Sequence, residues 1–214
     1  MALALADNSP NGGLGGVQRR RKWALLSSII VAIAFLAVTS SYWEFAYSFM
    51  YEIIEWIGMI LILLCVAGRT WCSLYIGGRK KEELVELGPY SIVRNPLYVF
   101  TLIGAVGVGF QTGSLIVGGL CALATYVIFR RVVSREEAFL AQAFPEAFAA
   151  YAARVPRLWP KFSLWVDTDM FVVSPRPVVR TFADTSLFLL AIPLAEVIDA
   201  LQASGSLPVM FNLP

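Results

Sequence analysis

Long apolar runs alternate with short, densely charged stretches along this chain, and the apolar runs have the dimensions of membrane helices. Trp23 to Tyr42 contains no Lys, Arg, Asp or Glu. About 20 such residues span the ~30 Å hydrocarbon core of a bilayer as a helix. Trp23, Tyr42 and Trp43 bracket the run as interfacial aromatics do. A second span is predicted from Phe49 to Tyr75, with Glu52 and Glu55 sharing a face at its start, which a membrane–water boundary accounts for, and Arg69 towards its end. The third run, Leu97 to Phe110, is short for a full crossing. Gly113-Ser114 turns the chain and Leu115 to Val133 returns it, which predicts a tight helical hairpin. Ala105, Gly109 and Gly113 recur at intervals of four, a stripe of small residues suited to close helix contact. Thr185 to Leu201 makes a fifth span, weakened by Pro193, Glu196 and Asp199.

The polar stretches read differently. Residues 1–22 form a small-residue, Gly-rich segment ending in Arg19-Arg20-Arg21-Lys22, and are predicted to be disordered. Arg135 to Arg154 has helical character, with Phe139, Phe144, Phe148 and Tyr151 as an aromatic stripe. An extended stretch punctuated by Pro156, Pro160, Pro175 and Pro177 follows, with Trp159 and Trp165 in it. The fold class is therefore all-α: a polytopic integral membrane helical bundle of about five transmembrane helices, with a cytoplasmic helix and a Pro-rich segment between the fourth and fifth. One membrane domain covers 23–202, with a motif core at 88–160 and a tail at 203–214.

Composition agrees, because 58% hydrophobic residues over 214 exceeds the roughly 45–50% of soluble domains. There is no His, which removes the commonest general base and transition-metal ligand. Cys65, Cys72 and Cys121 have no zinc-type spacing and read as small packing residues. Neither a metal centre nor a nucleic-acid partner is expected.

Charge position is more informative than the net charge of +2. All 17 Lys and Arg lie at 19–22, 69–94 and 130–180. Five crossings put these three places on one side and leave the other side without a single Lys or Arg. By the positive-inside rule the N-terminus and both polar clusters are cytoplasmic and the C-terminus is outside. With no retention or lipidation motif, a bacterial cytoplasmic membrane is the expected location.

Two polar motifs thereby fall together. Gly88-Pro89-Tyr90-Ser91-Ile92-Val93-Arg94-Asn95-Pro96-Leu97-Tyr98 leads into the third span, with Gly88-Pro89 able to stop a short helix and Asn95-Pro96 making an extended turn before a helix from Pro96. Arg135-Glu136-Glu137 follows the fourth. Arginine beside paired carboxylates suits a zwitterionic ligand carrying ribose hydroxyls, since Arg takes a carboxylate bidentately and Glu accepts from an ammonium or a diol. The same residues would also make a structural Arg–Glu pair at a membrane boundary, and residue types alone leave both readings open.

The first motif, the Glu-Glu pair and the later Phe144-x-x-x-Phe148-x-x-Tyr151-x-x-Arg154-Val155-Pro156-Arg157-x-x-Pro160 form an ordered set. Over roughly residues 55–162 this set resembles the isoprenylcysteine carboxyl methyltransferase / phospholipid methyltransferase superfamily, polytopic membrane enzymes that use S-adenosyl-L-methionine. The resemblance implies cofactor binding by Arg94, Pro96, Tyr98, Glu136 and Glu137, with Tyr90 and Asn95 beside them. Arg94 and Glu137 are the expected catalytic residues, and Tyr151, Arg154 and Arg157 the expected acceptor-binding ones. Gly107-Val108-Gly109 resembles a cofactor-contact element of the phospholipid methyltransferases, although helix packing also accounts for it. Asn95 stands where the family often has His, so no imidazole acts there.

The implied reaction is in-line transfer of methyl from the sulfonium to a lipid-like or hydrophobic acceptor at the cytoplasmic face, driven by proximity and orientation. A carboxylate or thiolate acceptor needs no base. An amine would need Glu136, Glu137, Tyr98 or water. The alternatives are a non-catalytic membrane scaffold and a nicotinamide-dependent reductase relative. The bilayer is the one partner expected in every case.

Overall fold

The computed structural model describes residues 39–41, 48–77, 83–170, 172–209 and 211–213. The 1–22 segment and the first span up to residue 38 lie outside the described residues. The architecture is helical and membrane-like. Three helices, Phe49–Ile76, Leu115–Ala143 and Pro175–Ala203, are long and apolar enough to cross a bilayer, and Pro96–Phe110 is a shorter apolar helix.

Helix α1 (Ser48–Ile76) is the axis. One face buries Ile54, Ile62, Cys65 and Cys72, while Trp56, Ile60, Leu63 and Leu64 face outward. That outward face is apolar because its solvent is lipid. Gly88 then bends the chain at φ 56°, a backbone conformation open to glycine, and the Tyr75 ring occupies the space a β-carbon would need. Gly88-Pro89 begins a helix where the sequence had it stopping one: Pro89 is the first residue of the single turn α2 (Pro89–Ile92). Asn95, at φ −127° and ψ 56°, is not in the extended region expected of it, and Pro96 opens α3 (Pro96–Phe110).

Helix α3 runs antiparallel to α1, and small residues set the separation. A β-carbon on Gly104 would fall 2.8 Å from that of Cys65, and one on Gly107 would fall 2.7 Å from the Gly58 carbonyl. Gln111 closes this end by donating to the Glu55 carbonyl at 3.0 Å. The turn uses Gly113 at φ 64°, outside the helix, so the small-residue stripe ends at Gly109. Ser114 caps α4 (Leu115–Ala143) by accepting from the Val117 amide at 3.3 Å.

Helix α4 passes straight through Val133, where the sequence suggested a break, and runs for 29 residues, about 43 Å. No Gly or Pro stands between Val133 and Phe144, where the backbone leaves helical geometry and Pro145 begins α5 (Pro145–Arg154). The expected single helix 135–154 is therefore two. Phe148 and Tyr151 are buried with Phe144 against Val155, but Phe139 is exposed and outside the stripe.

Residues 155–170 are extended, as expected, and lie along the first motif through backbone and hydroxyl hydrogen bonds. Arg94 donates to Pro156, Lys161 to Ile92, Gly88 to Val166, and Val166 to the Ser91 hydroxyl, at 2.8–3.0 Å. A 3-10 turn at Phe162–Leu164 and the stacking of Trp165 on Trp71, 5.7 Å apart, fix this strap.

Pro175 and Pro177, read as extended, instead sit in the first turn of α6 (Pro175–Ser186), where the missing amide hydrogens would have had no helical partner. A 3-10 turn, Leu187–Leu190, leads into α7 (Ala191–Ala203) and accommodates Pro193. Asp199, which weakened this span on paper, accepts the Tyr51 hydroxyl at 2.6 Å, tying α7 to the start of α1. Glu52 and Glu55 do not share one environment: Glu52 is exposed, while Glu55 is half-buried beside Tyr51. The last residues of the first predicted span form a strand. β1 (Thr39–Ser41) pairs in parallel with β2 (Phe211–Leu213), Thr39 opposite Phe211. Thr-Ser-Ser is a weak helix former, because its hydroxyls compete for backbone groups.

Candidate functional site

The hairpin α3–α4 brings the two motifs together at one end of the bundle, hereafter the motif end. Arg94 follows Val93, whose extended backbone ends α2, and Asn95 precedes α3, so neighbouring side chains reach one carboxylate on α4. Glu137 Oε1 accepts from Asn95 Nδ2 at 3.0 Å and lies 3.4 Å from Arg94 Nε. Glu137 Oε2 lies 3.1 Å from Arg157 Nε. Both guanidinium Nε atoms are within ion-pair distance yet off the line of a hydrogen bond, and both are enclosed. The Arg94 and Glu137 side chains are 15% and 16% exposed, so their attraction is screened little by water.

The chain wraps this cluster on every side. Asn95 Nδ2 also donates to the Arg157 carbonyl at 3.1 Å, which holds the strap against the helix mouth. Arg157 Nη2 donates to Ser134 Oγ at 2.7 Å, one turn before Glu137 on α4, and Arg94 Nη1 approaches the Ala152 carbonyl at 3.5 Å. Two positive side chains thus share one negative one, and the cluster carries a net positive charge.

Glu136 points elsewhere, with its carboxylate near the Tyr98 hydroxyl. Tyr98 packs edge-on against Phe129, with centroids 4.7 Å apart. Beneath, Tyr151 donates to the Tyr90 carbonyl at 2.7 Å. Burial, and then the nearby Glu86 carboxylate, push the Tyr151 phenol upward, so it stays a neutral donor. The Tyr90 hydroxyl is enclosed without a partner among the described residues.

The structure thus gathers Arg94, Asn95, Pro96, Glu137 and Arg157, with Tyr98 and Glu136 adjoining. Arg157, expected to touch the acceptor, is instead a second partner of Glu137. Tyr151 is a buried brace. Arg154 pairs with Glu86 at 2.6 Å on the surface, beside a shallow cavity of about 380 Å³ that Leu87 and Trp165 also line. Gly107 and Gly109 are not brought here. Gly107 lies eleven residues beyond Pro96, about 16 Å along α3, against Gly58, and Gly109 lies against Gly118. Ser134 was missed, and its position three residues before Glu137 on a continuous helix was the available signal. Also missed were the contacts of Arg69 with Thr101 and Thr185, although an arginine in an apolar run was visible.

These residues suit S-adenosyl-L-methionine on two counts: carboxylates adjoin donors at a helix mouth, and a polar atom of Tyr90 is enclosed and unsatisfied. Among the described residues, no group of three or more His, Cys, Asp or Glu side chains is placed to hold a metal ion.

Residues 55–147 match the phospholipid methyltransferase family model. The chain is 41% identical over 157 residues to the cobalt-zinc-cadmium resistance protein CzcN of Cupriavidus metallidurans, covering 73% of this chain and 72% of that protein. It is 32% identical over 186 residues to the nickel-cobalt-cadmium resistance protein NccN of Alcaligenes xylosoxydans xylosoxydans, covering 87% of each. A shorter match, 31% over 91 residues, is to the protein-S-isoprenylcysteine O-methyltransferase of Schizosaccharomyces pombe, covering 42% of this chain and 39% of that enzyme. No solved structure matches the chain. With its two motifs joined at Glu137 inside the matched helices, the chain belongs to the isoprenylcysteine carboxyl methyltransferase / phospholipid methyltransferase superfamily.

Proposed function

We propose that this protein transfers a methyl group from S-adenosyl-L-methionine to a hydrophobic acceptor at the cytoplasmic face of a membrane. The observation that carries this is Glu137 on α4 held between Arg94 and Asn95 at the mouth of α3 and Arg157 on the strap. When bound, the cofactor supplies an electrophilic methyl group. The protein supplies donors and acceptors fixed before the ligand arrives. Arg94 and Arg157 offer positive charge to a carboxylate, while Glu136 and Tyr98 offer acceptors to an ammonium or a ribose diol. Three donors already crowd Glu137, so an acceptor that must lose a proton would give it to Glu136 or to water. A carboxylate or thiolate acceptor needs neither and suits the site better.

The distribution of Lys and Arg supports a cytoplasmic motif end and an outer C-terminus, in the inner membrane of a bacterium. The resistance-protein relatives favour a setting in which methylation of a membrane component serves metal tolerance. The deciding experiment gives the purified protein radiolabelled methyl donor and a total lipid extract. Label is expected in the organic phase, and Glu137→Gln is expected to keep it in the aqueous phase. Parallel calorimetry should find binding of S-adenosylhomocysteine and none of NADPH. The opposite pair of results would move the chain to the reductase-like relatives, and binding of neither would leave a scaffold.

A further inference from the structure

A second arginine lies deeper in the bundle, and it differs from Arg94 in having no acid among the described residues. Arg69 sits on α1 seven residues before Ile76, about 10 Å from the end of the helix. Its Nε donates to Thr185 Oγ1 on α6 at 3.0 Å, and its Nη1 donates to the Leu97 carbonyl at 3.4 Å and to Thr101 Oγ1, both on α3. Each threonine hydroxyl donates in turn to a carbonyl one turn earlier in its own helix, Thr101 to Leu97 and Thr185 to Thr181, both at 2.7 Å. The two oxygens are thus fixed as acceptors facing the guanidinium. All of these partners are neutral, and no carboxylate pairs with Arg69 among the described residues. Nη2 has no partner among them and is not enclosed.

A cation at this depth costs several kcal/mol unless it meets an anion or reaches water. A carboxylate on α3 or α6 would neutralise it. Instead the cradle holds the fork in place and leaves its charge uncompensated. The enclosed Tyr90 hydroxyl has no partner among the described residues, and Tyr90 packs in one cluster with Cys72, three residues from Arg69 on α1, and with Leu97. Arginine suits such a place, because one edge of its planar fork can be held by the protein while the other takes an oxyanion.

We propose that Arg69, held by Thr101 and Thr185, is an anion-binding site for the carboxylate or phosphate of a ligand lodged between α1, α3 and α6. Two sources share that chemistry: the carboxylate of the cofactor and the headgroup of an anionic lipid or acceptor. The first source rests on the methyl-transfer reading and the second does not.

The test measures wild type, Arg69→Gln and Arg69→Lys in one detergent. One arm titrates S-adenosylhomocysteine by calorimetry. The other measures thermal stabilisation by dioleoylphosphatidylglycerol against dioleoylphosphatidylcholine in mixed micelles. In one arm Arg69→Gln is expected to weaken binding about tenfold or more, the usual effect of losing a charge-assisted hydrogen bond. The arm that responds names the source. Should Arg69→Gln fail to fold, Arg69→Lys decides: it keeps the charge and loses the fork, so weaker binding in one arm supports the site. Unchanged binding in both arms overturns it, even if the melting temperature falls, and leaves Arg69 as a tie between helices. Wild type that binds no S-adenosylhomocysteine removes the methyl-transfer reading alone, and the lipid arm still decides Arg69.

Discussion

The two ends of α3 are held by opposite kinds of chemistry. Towards the turn end, Gly104, Gly107 and Gly109 have no side chains, and the backbones of α1 and α4 together with the Cys65 and Ile62 side chains fill the space, so the contact is van der Waals packing between helices. At the motif end, Arg94, Asn95, Glu137 and Arg157 hold the chain through charge and hydrogen bonds at a half-wet boundary. Packing of the first kind is indifferent to what binds and sets the spacing of the bundle. Polar contact of the second kind can be re-partnered when a ligand arrives. On the methyl-transfer reading proposed above, the chemistry belongs at the motif end, and the Gly-x-Gly of α3 serves the packing that aims it.

The sharpest way to break that contrast is at Gly109. A β-carbon there would fall 2.6 Å from the backbone nitrogen of Gly118, and neither backbone can yield without opening the hairpin. Gly109→Leu is expected to cost about 3 kcal/mol or more, the upper range for overpacking. The readout is the yield of monodisperse protein and its melting temperature. A variant that folds normally but loses S-adenosylhomocysteine would return Gly109 to the cofactor site.

At the other end the expected effect is smaller in stability and larger in function. Glu137→Gln keeps the shape but leaves Arg94 and Arg157 facing each other without an anion. About 2–3 kcal/mol of stability should go, somewhat less than for a fully buried pair. Methyl transfer per folded molecule should fall by far more than the folded fraction. If both fall in proportion, measured by thermal melting and radiolabel transfer on the same preparation, Glu137 is a structural link only.

Much of this was legible because its physics is local. Apolar run length marked the three long helices and the shorter α3, and Asn95-Pro96 marked the start of α3. What escaped depended on what a segment packs against. Nothing between Val133 and Phe144 forbids a helix, so α4 continues past the apolar run that defined it. Pro175 and Pro177 looked like breakers, but in a first turn proline breaks nothing. Glu137 could be picked from sequence, yet its second arginine could not, because Arg157 reaches it only after the strap folds back along residues 88–94. The Arg69 cradle joins α1, α3 and α6, with Thr185 lying 116 positions from Arg69.

The weakest contrast concerns Arg154, and it tests where the site stops. Arg154 pairs with Glu86 at 2.6 Å, with side chains 58% and 32% exposed, close to Arg157 in sequence but outside the Glu137 cluster. Exposed pairs of this kind contribute about 0–1 kcal/mol, because water screens the attraction and two long side chains must be ordered. Arg154→Gln and Glu86→Gln, singly and together, should therefore shift the melting temperature little, with a coupling energy at the low end of that range. The pair also edges the cavity beside Trp165. Arg154 has a role there only if Arg154→Gln raises KM for the acceptor while leaving kcat and S-adenosylhomocysteine affinity alone. Glu86→Gln separates the two cases further. A pure surface pair predicts no kinetic change in either variant, whereas an arginine held back by Glu86 predicts opposite KM shifts, upward when Arg154 is lost and downward when Glu86 releases it. Kinetics on the two single variants, with stability held as the control, would draw the boundary of the site on this side of the strap.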